Sequence, residues 1–179
     1  MPIIWLTGLS GAGKSTLAAR LASDLRNFGV PSVVLDGDAL RTGLSQDLRF
    51  SDSDRGENVR RAVEAGILIC QSGVVAIVAM ISPFRNDRLM ARDRCSKAGV
   101  RFSEIFINAP LAVCELRDPK QLYRRARNNE IQAFTGVTSP YEPPTDPDLE
   151  ISTGTQTLCD SGDRLFSHVR LLIDDRADG

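Results

Sequence analysis

The segment Pro2–Thr16, PIIWLTGLSGAGKST, decides how this chain folds. Pro2 to Thr7 form an apolar run with β-branched Ile3 and Ile4, the pattern of a strand covered on both faces. The next eight residues, Gly8 to Ser15, fit the spacing GxxxxGK[ST] without a gap or substitution. Glycines let the backbone wrap tightly, so that successive N–H groups point inward at phosphate oxygens. The helix that follows turns its positive N-terminal end to the same anion. In such a loop Lys14 reaches the β- and γ-phosphates and the Ser15 hydroxyl ligates Mg²⁺. The flank agrees, because Leu17, Ala18, Leu21, Ala22 and Leu25 recur at helical spacing before Gly29, a helix-ending glycine. Binding of a nucleoside triphosphate is the expectation.

Working outward, Val33 to Leu35 reads as a second short strand that runs into Asp36-Gly37-Asp38. Glu57 to Gln71 is a helix closed by Gly73, and Val74 to Ile81 is a continuous apolar strand. Asn86 to Lys97 is helical, Phe102 to Ile107 is the fourth strand, and Leu111 to Arg127 reads as mostly helical despite Pro119. Residues 128–150 carry Gly136 and four prolines with little periodicity, which marks a functional loop or lid. A last strand begins at Ile151, Leu165 to Ile173 forms a closing helix, and the polar tail Asp174–Gly179 is expected to fray. Strands alternating with helices imply right-handed βαβ units. The expected class is α/β, a P-loop NTPase three-layer α/β/α sandwich with a mostly parallel central sheet. Residues 1–179 read as one P-loop kinase domain, with a lid over approximately 120–150.

Composition narrows the function. The chain has 179 residues, 22 Lys+Arg against 23 Asp+Glu and a net charge of −1, so no nucleic-acid partner is expected. A length of this order buries a sizeable core without metal or disulfide staples. No apolar run is long enough to span a membrane, and no membrane partner is expected. Cys70, Cys95, Cys114 and Cys159 form no CxxC pair, which points to reduced thiols in a soluble, cytoplasmic protein. His168 is the only histidine and reads as an ordinary helix-surface residue. Its isolation removes Ser-His-Asp and Cys-His chemistry and argues against a structural zinc site.

A phosphate loop leaves open whether the terminal phosphate goes to water or to a substrate. No NKxD tetrapeptide appears, so a GTPase switch loses its main support. Asp36 and Asp38 end the second strand, where ligands of parallel sheets gather. One of them is suited to hold a Mg²⁺-bound water and one to accept a proton from an attacking hydroxyl, or the triplet is a turn that caps a short helix. Arg41, Arg55, Arg60, Arg61, Arg85 and Arg88 cluster in segments expected at the carboxyl edge of the sheet. Arginine's planar fork suits phosphate or sulfate oxygens. Lys120, Arg124 and Arg127 fall on one face of a helix entering the lid. Phe50 and Phe134 lie in polar, loop-like surroundings, where an aromatic ring stacks on a base or packs beneath a loop.

With these residues assembled, the chain resembles the adenylylsulfate kinases over about residues 3–153. The resemblance is carried by WLTGLSGAGKST at Trp5–Thr16, LDGDALR at Leu35–Arg41, DLRFSDSDRGENVRR at Asp47–Arg61, ISPFR at Ile81–Arg85, CELRDPKQLYRRAR at Cys114–Arg127 and FTGVTSPYEP at Phe134–Pro143. It implies transfer of the ATP γ-phosphate to the ribose 3′-hydroxyl of adenosine 5′-phosphosulfate (adenylyl sulfate), with Mg²⁺, in sulfate assimilation. By the same resemblance Gly8, Ser10, Gly11, Ala12, Gly13, Lys14, Ser15 and Thr16 hold ATP, and Ser15 and Asp38 serve the metal. Asp38, Arg41, Phe50, Arg55, Asn58, Ile81, Ser82, Lys120, Phe134 and Thr135 match positions for adenylyl sulfate, with Phe50 and Phe134 sandwiching its adenine. Lys14, Asp38 and Ser82 match the catalytic positions. Ser82 stands where a phosphoserine intermediate is sometimes assigned, although no base beside it is evident and in-line transfer is simpler. A homodimer is also implied.

Four single positions depart from the family pattern, and the helix after Asn58 reads AVEAG at residues 62–66 where a GE pair is usual. Ala39 replaces an Asn, Arg49 and Gln121 each replace a Gly, and Asn129 replaces a lid Gly. Ala39 and Gln121 keep open an alternative, a P-loop kinase acting on a different small hydroxyl acceptor.

Overall fold

β1 (Ile3–Thr7) is buried at every position and lies at the centre of the sheet. It pairs in parallel with β3 (Val75–Ala79) on one side and with β4 (Phe102–Asn108) on the other. β2 (Ser32–Asp36) forms one edge against β3, and β5 (Leu149–Ser152) forms the other against β4. The order β2-β3-β1-β4-β5 therefore reverses direction at β1, and the carboxyl ends beside such a switch form a crevice. This computed structural model describes residues 1–174, so the expected fraying of 175–179 lies outside the described residues.

Alternation along the strands divides the core in two. Ile4, Leu6, Ile77, Ile105, Ile107 and Ile151 point to one face, where α1 (Lys14–Asn27) and α7 (Leu158–Asp174) cover them with Leu17, Leu21, Leu165 and Val169. Ile3, Trp5, Ala76, Val78 and Met80 point to the other, beneath α3 (Asp52–Gln71) and α4 (Arg85–Lys97). The expected three-layer α/β/α sandwich is the observed architecture, and all strand pairs are parallel.

Several boundaries differ for local reasons. α3 starts five residues before Glu57, because the Ser51 hydroxyl accepts from the Asp54 N–H and Asp52 and Asp54 load the first turn. The expected single helix Leu111–Arg127 is two, α5 (Leu111–Arg117) and α6 (Leu122–Arg127). Pro119 stands in the break, and the Asp118 carboxylate accepts from the N–H groups of Tyr123 and Arg124 to start α6. Asp36 is the cap of a short helix, α2 (Gly37–Thr42), with its carboxylate accepting from the Asp38 N–H. Residues 128–148 contain no named strand or helix, only an isolated bridge between Thr135 and Ser139. The closing helix α7 starts seven residues earlier than Leu165.

Two of the four departures are explained by backbone geometry. Gln121 has φ 53° and Asn129 φ 59°, both in the left-handed region where glycine costs least and asparagine is tolerated. The glycines usual in the family at 121 and 129 thus have their reason. Arg49 contributes only backbone here, accepting from Arg41 and donating to Asp54. Nothing in the structure explains Ala39.

The division of the core makes a stability prediction. Ile77→Ala, in the fully buried β3, is expected to cost about 2–5 kcal/mol, whereas Leu116→Ala on exposed α5 costs less than about 0.5 kcal/mol. Urea unfolding checks both, and equal losses would contradict the assignment of the core.

Candidate active site

The phosphate loop joins β1 to α1 at the sheet switch point. Gly8 has φ 150°, and a Cβ built there would lie 2.4 Å from the Ile107 carbonyl oxygen on β4. Only glycine lets the loop leave β1 this close to its neighbour. Each carbonyl from Gly8 to Ala12 is held from outside the loop's backbone. The Lys14 Nζ donates to Gly8 and Leu9 oxygens at 2.9 and 2.8 Å. The Tyr123 hydroxyl donates to Ser10 O at 2.9 Å, Arg117 Nη1 to Gly11 O at 3.3 Å and Thr153 Oγ1 to Ala12 O at 2.7 Å. Gly13 O accepts from Leu17 N inside α1. Carbonyls drawn outward in this way leave N–H groups to line the cradle. Burial pushes the Lys14 ammonium down to about 8, against which the nearby Asp36 and Asp38 carboxylates act.

A single cavity of about 940 Å³ runs from this loop across the end of the sheet. Its wall includes Ser10, Lys14, Ser15, Asp36, Asp38, Phe50, Arg55, Ile81, Lys120, Phe134 and Thr135. The sequence-derived site candidates are thus brought to one place, with four exceptions. Gly8, Arg41, Asn58 and Ser82 do not form part of the wall. Asn58 is buried behind it with Oδ1 making no hydrogen bond, and Arg41 donates to the Arg49 carbonyl at 2.7 Å.

Ser15 Oγ donates to Asp36 Oδ2 at 2.6 Å, so the carboxylate nearest the loop hydroxyl is Asp36. Asp38 instead pairs with Lys120 across the cavity. That contact raises the lysine's pKa, chiefly through the hydrogen bond. Lys120 belongs to the α5–α6 connection rather than to α6, and Arg127 pairs with Glu115, so the expected cationic face of Lys120, Arg124 and Arg127 does not form.

The two phenylalanines differ. Phe50 is 57% exposed, with the Arg41 guanidinium 4.5 Å and that of Arg55 5.9 Å from its ring centroid. Phe134 is 8% exposed and packs edge-on against Tyr123 at 5.0 Å. Arg55 joins the two segments, donating to Phe50 O at 3.0 Å, Thr135 Oγ1 at 2.8 Å and Ala133 O at 2.6 Å. Of the other arginines, Arg60 and Arg61 turn to Glu57, and Arg61 also to Asp47.

Ser82 is buried, has φ 40°, and its Oγ lies 3.0 Å from the Trp5 indole N–H, which donates to it. His168 is half-buried on α7 beside Ser103 at 2.9 Å, in keeping with a helix-surface role. Sequence reasoning missed Arg117, Tyr123 and Thr153, the side chains that brace the loop. Only the shared block Cys114–Arg127 hinted at the first two, and nothing local singled out Thr153.

Comparison with known proteins agrees with this geometry. The sequence profile of the adenylylsulphate kinase family matches residues 1–152. The chain is 50% identical over 168 residues to the adenylyl-sulfate kinase of Bacillus pumilus, covering 94% of this chain and 84% of that one. It is 49% identical over 167 residues to the adenylyl-sulfate kinase of Paraburkholderia xenovorans, covering 93% and 92%. The APS kinase of Mycobacterium tuberculosis, solved in complex with AMPPNP and APS, superposes with a TM-score of 0.92 at 41% identity, over 94% of this chain and 97% of that one. A phosphate loop braced on every carbonyl, opening into a cavity that ends at Phe50 and Phe134, is thus found in a chain that belongs to the adenylylsulphate kinase family.

Proposed function

We propose that this kinase transfers the γ-phosphate of ATP to the 3′-hydroxyl of adenosine 5′-phosphosulfate, giving 3′-phosphoadenosine 5′-phosphosulfate. The observation that carries the reading is the continuous cavity, which joins the phosphate loop to an aromatic and arginine-lined end past Asp38 and Lys120. ATP phosphates lie along Ser10–Thr16, and Lys14 reaches the β- and γ-oxygens. At the far end the adenine of the acceptor stacks on Phe50, with Phe134 and Thr135 behind it and Arg55 tying the two sides together. Arg55 and Ile81, which line this end, meet the phosphosulfate, while Arg41 braces the Phe50 ring and Asn58 stands behind the wall.

Transfer is in line: the 3′-oxygen bonds to the γ-phosphorus as the bond to the bridging oxygen of ADP breaks. Asp38 takes the hydroxyl proton, and Lys120 holds that carboxylate in place. Ser82 is assigned to the turn that floors the acceptor end rather than to a phosphorylated intermediate. The burial of its hydroxyl against Trp5 supports this.

Among the described residues no group of three or more His, Cys, Asp or Glu side chains gathers as a metal cage. That suits Mg²⁺, which is commonly held by one or two carboxylates together with substrate phosphates. Ser15 supplies the hydroxyl ligand, while Asp36, at 2.6 Å from it, and Asp38 supply the acidic side. When bound, the ion neutralises charge on the β- and γ-oxygens. No helix among the described residues is long and apolar enough to cross a membrane. We assign the enzyme to the cytoplasm as a single domain acting as a homodimer. The four free cysteines support a reducing compartment, and light scattering tests the dimer.

Three outcomes are expected. Lys14→Ala lowers kcat by about a thousandfold and Asp38→Asn by about a hundredfold or more, in coupled ADP release with adenylyl sulfate. Near wild-type kcat in Asp38→Asn removes its role as base, and equal turnover of AMP and adenylyl sulfate removes the acceptor assignment. Phe50→Ala raises the KM for adenylyl sulfate about tenfold and leaves the KM for ATP unchanged. The third outcome concerns protons. Lys14 has its pKa lowered from 10.5 to about 8, so between those two values the folded protein alone binds fewer protons than the unfolded chain. ATP restores the charge, so its binding at about pH 9 takes up a proton. Calorimetry in buffers of different ionisation enthalpy measures this, and Lys14→Arg is expected to abolish it.

A further inference from the structure

One charged side chain outside the cavity is almost wholly buried. Arg88, in the first turn of α4, is 3% exposed and uses all three faces of its guanidinium. Its Nε donates to Glu104 Oε1 on β4 at 2.6 Å, Nη1 to the Ser82 carbonyl at 2.7 Å and Nη2 to the Glu142 carbonyl at 2.7 Å. Charge neutralisation accounts for Glu104 alone. The two carbonyls belong to segments far apart in sequence, the turn after β3 and the strand of lid returning to the core.

Those segments are fastened at other points as well. Glu142 N donates to Pro83 O at 2.9 Å, Arg85 N to Glu142 Oε2 at 2.8 Å, and Thr7 Oγ1 to Ile81 O at 2.7 Å. Ser82, at φ 40°, is a non-glycine residue in the left-handed region, a conformation that persists only when its surroundings over-determine it. Trp5 holds its hydroxyl and Arg88 its carbonyl, while the preceding Ile81 lines the cavity.

We propose that Arg88 is a positioning residue of the acceptor site: its guanidinium sets the Ile81–Ser82 turn and clamps it to the lid's return at Glu142, so that affinity for the acceptor depends on it. The inference rests on the acceptor assignment made above. A lysine cannot replace this group, because a point charge does not reach three acceptors held in a plane.

The test compares three variants with the wild type. Arg88→Lys is expected to raise the KM for adenylyl sulfate about tenfold while the KM for ATP stays within about twofold. Glu104→Gln removes the ion pair and leaves both carbonyl bonds, so it lowers Tm but not acceptor affinity. The double variant Arg88→Met with Glu104→Met exchanges the buried pair for an apolar one that folds, and it is expected to match Arg88→Lys in KM. Trp5 is the only tryptophan, so its emission reports the Ser82 turn without any substrate, and Arg88→Lys is expected to change it. Unchanged acceptor KM in Arg88→Lys or in the double variant overturns the proposal, as does an equal rise in Glu104→Gln. A wild type that does not phosphorylate adenylyl sulfate defeats the functional reading instead. In that event Trp5 emission still decides: altered emission in Arg88→Lys sustains the clamp, and unaltered emission overturns it.

Discussion

The constraint on which the molecule depends is the outward pull on the carbonyls of the phosphate loop. A backbone turn that gathers N–H groups toward one point must send its C=O groups elsewhere, and in a buried setting each needs a donor. Lys14, Tyr123, Arg117 and Thr153 supply them from α1, α6, α5 and the segment after β5. The positions of α5 and α6 follow from this need as much as from apolar burial. Cys114 on α5 and Ala126 on α6, both buried in the core, provide the packing that keeps those donors in range.

The opposite end of the cavity is built on another principle. There the cations do not converge on one anion; they fasten loops. Arg55 bridges the Phe50 and Thr135 segments, Arg41 holds the loop before α3, and Arg88 holds the turn after β3. Planar guanidinium groups serve both as recognition surface and as structural ties, which is why a nearly neutral chain carries so many arginines at one edge of its sheet.

Much of this was legible in the sequence, and the limits are physical. Residues Pro2–Thr16 declare a strand, a turn and a helix because glycine spacing and apolar runs are local properties, and the parallel sheet follows from the alternation of strands with helices. The phosphate-loop lining was recoverable from glycine spacing, whereas acceptor-end residues such as Ile81 and Thr135 were reached only through the resemblance of their blocks to the adenylylsulfate kinases. What stayed hidden depends on contacts across the fold. No local pattern shows that the Ser82 hydroxyl faces Trp5, that Asp36 rather than Asp38 meets Ser15, or that Lys120 crosses to Asp38. The break at Pro119 was visible as a residue but outweighed by helical spacing on either side, and the Asp118 cap that starts the second helix is a tertiary detail. Phe134 does lie in a loop, as its polar neighbours implied, but its partner there, Tyr123, could not be read from local sequence.

The bracing of the loop also orders events during synthesis. The motif itself is complete within the first sixteen residues, yet β1 lacks its second partner strand until β4 is made, and Ala12 has no hydroxyl donor until Thr153 emerges. A growing chain therefore carries the recognition sequence long before it carries the site. Nucleotide cannot act as an early template for folding here; it can only reward a chain that is already almost whole, which couples ligand-linked stability to completion of the fold.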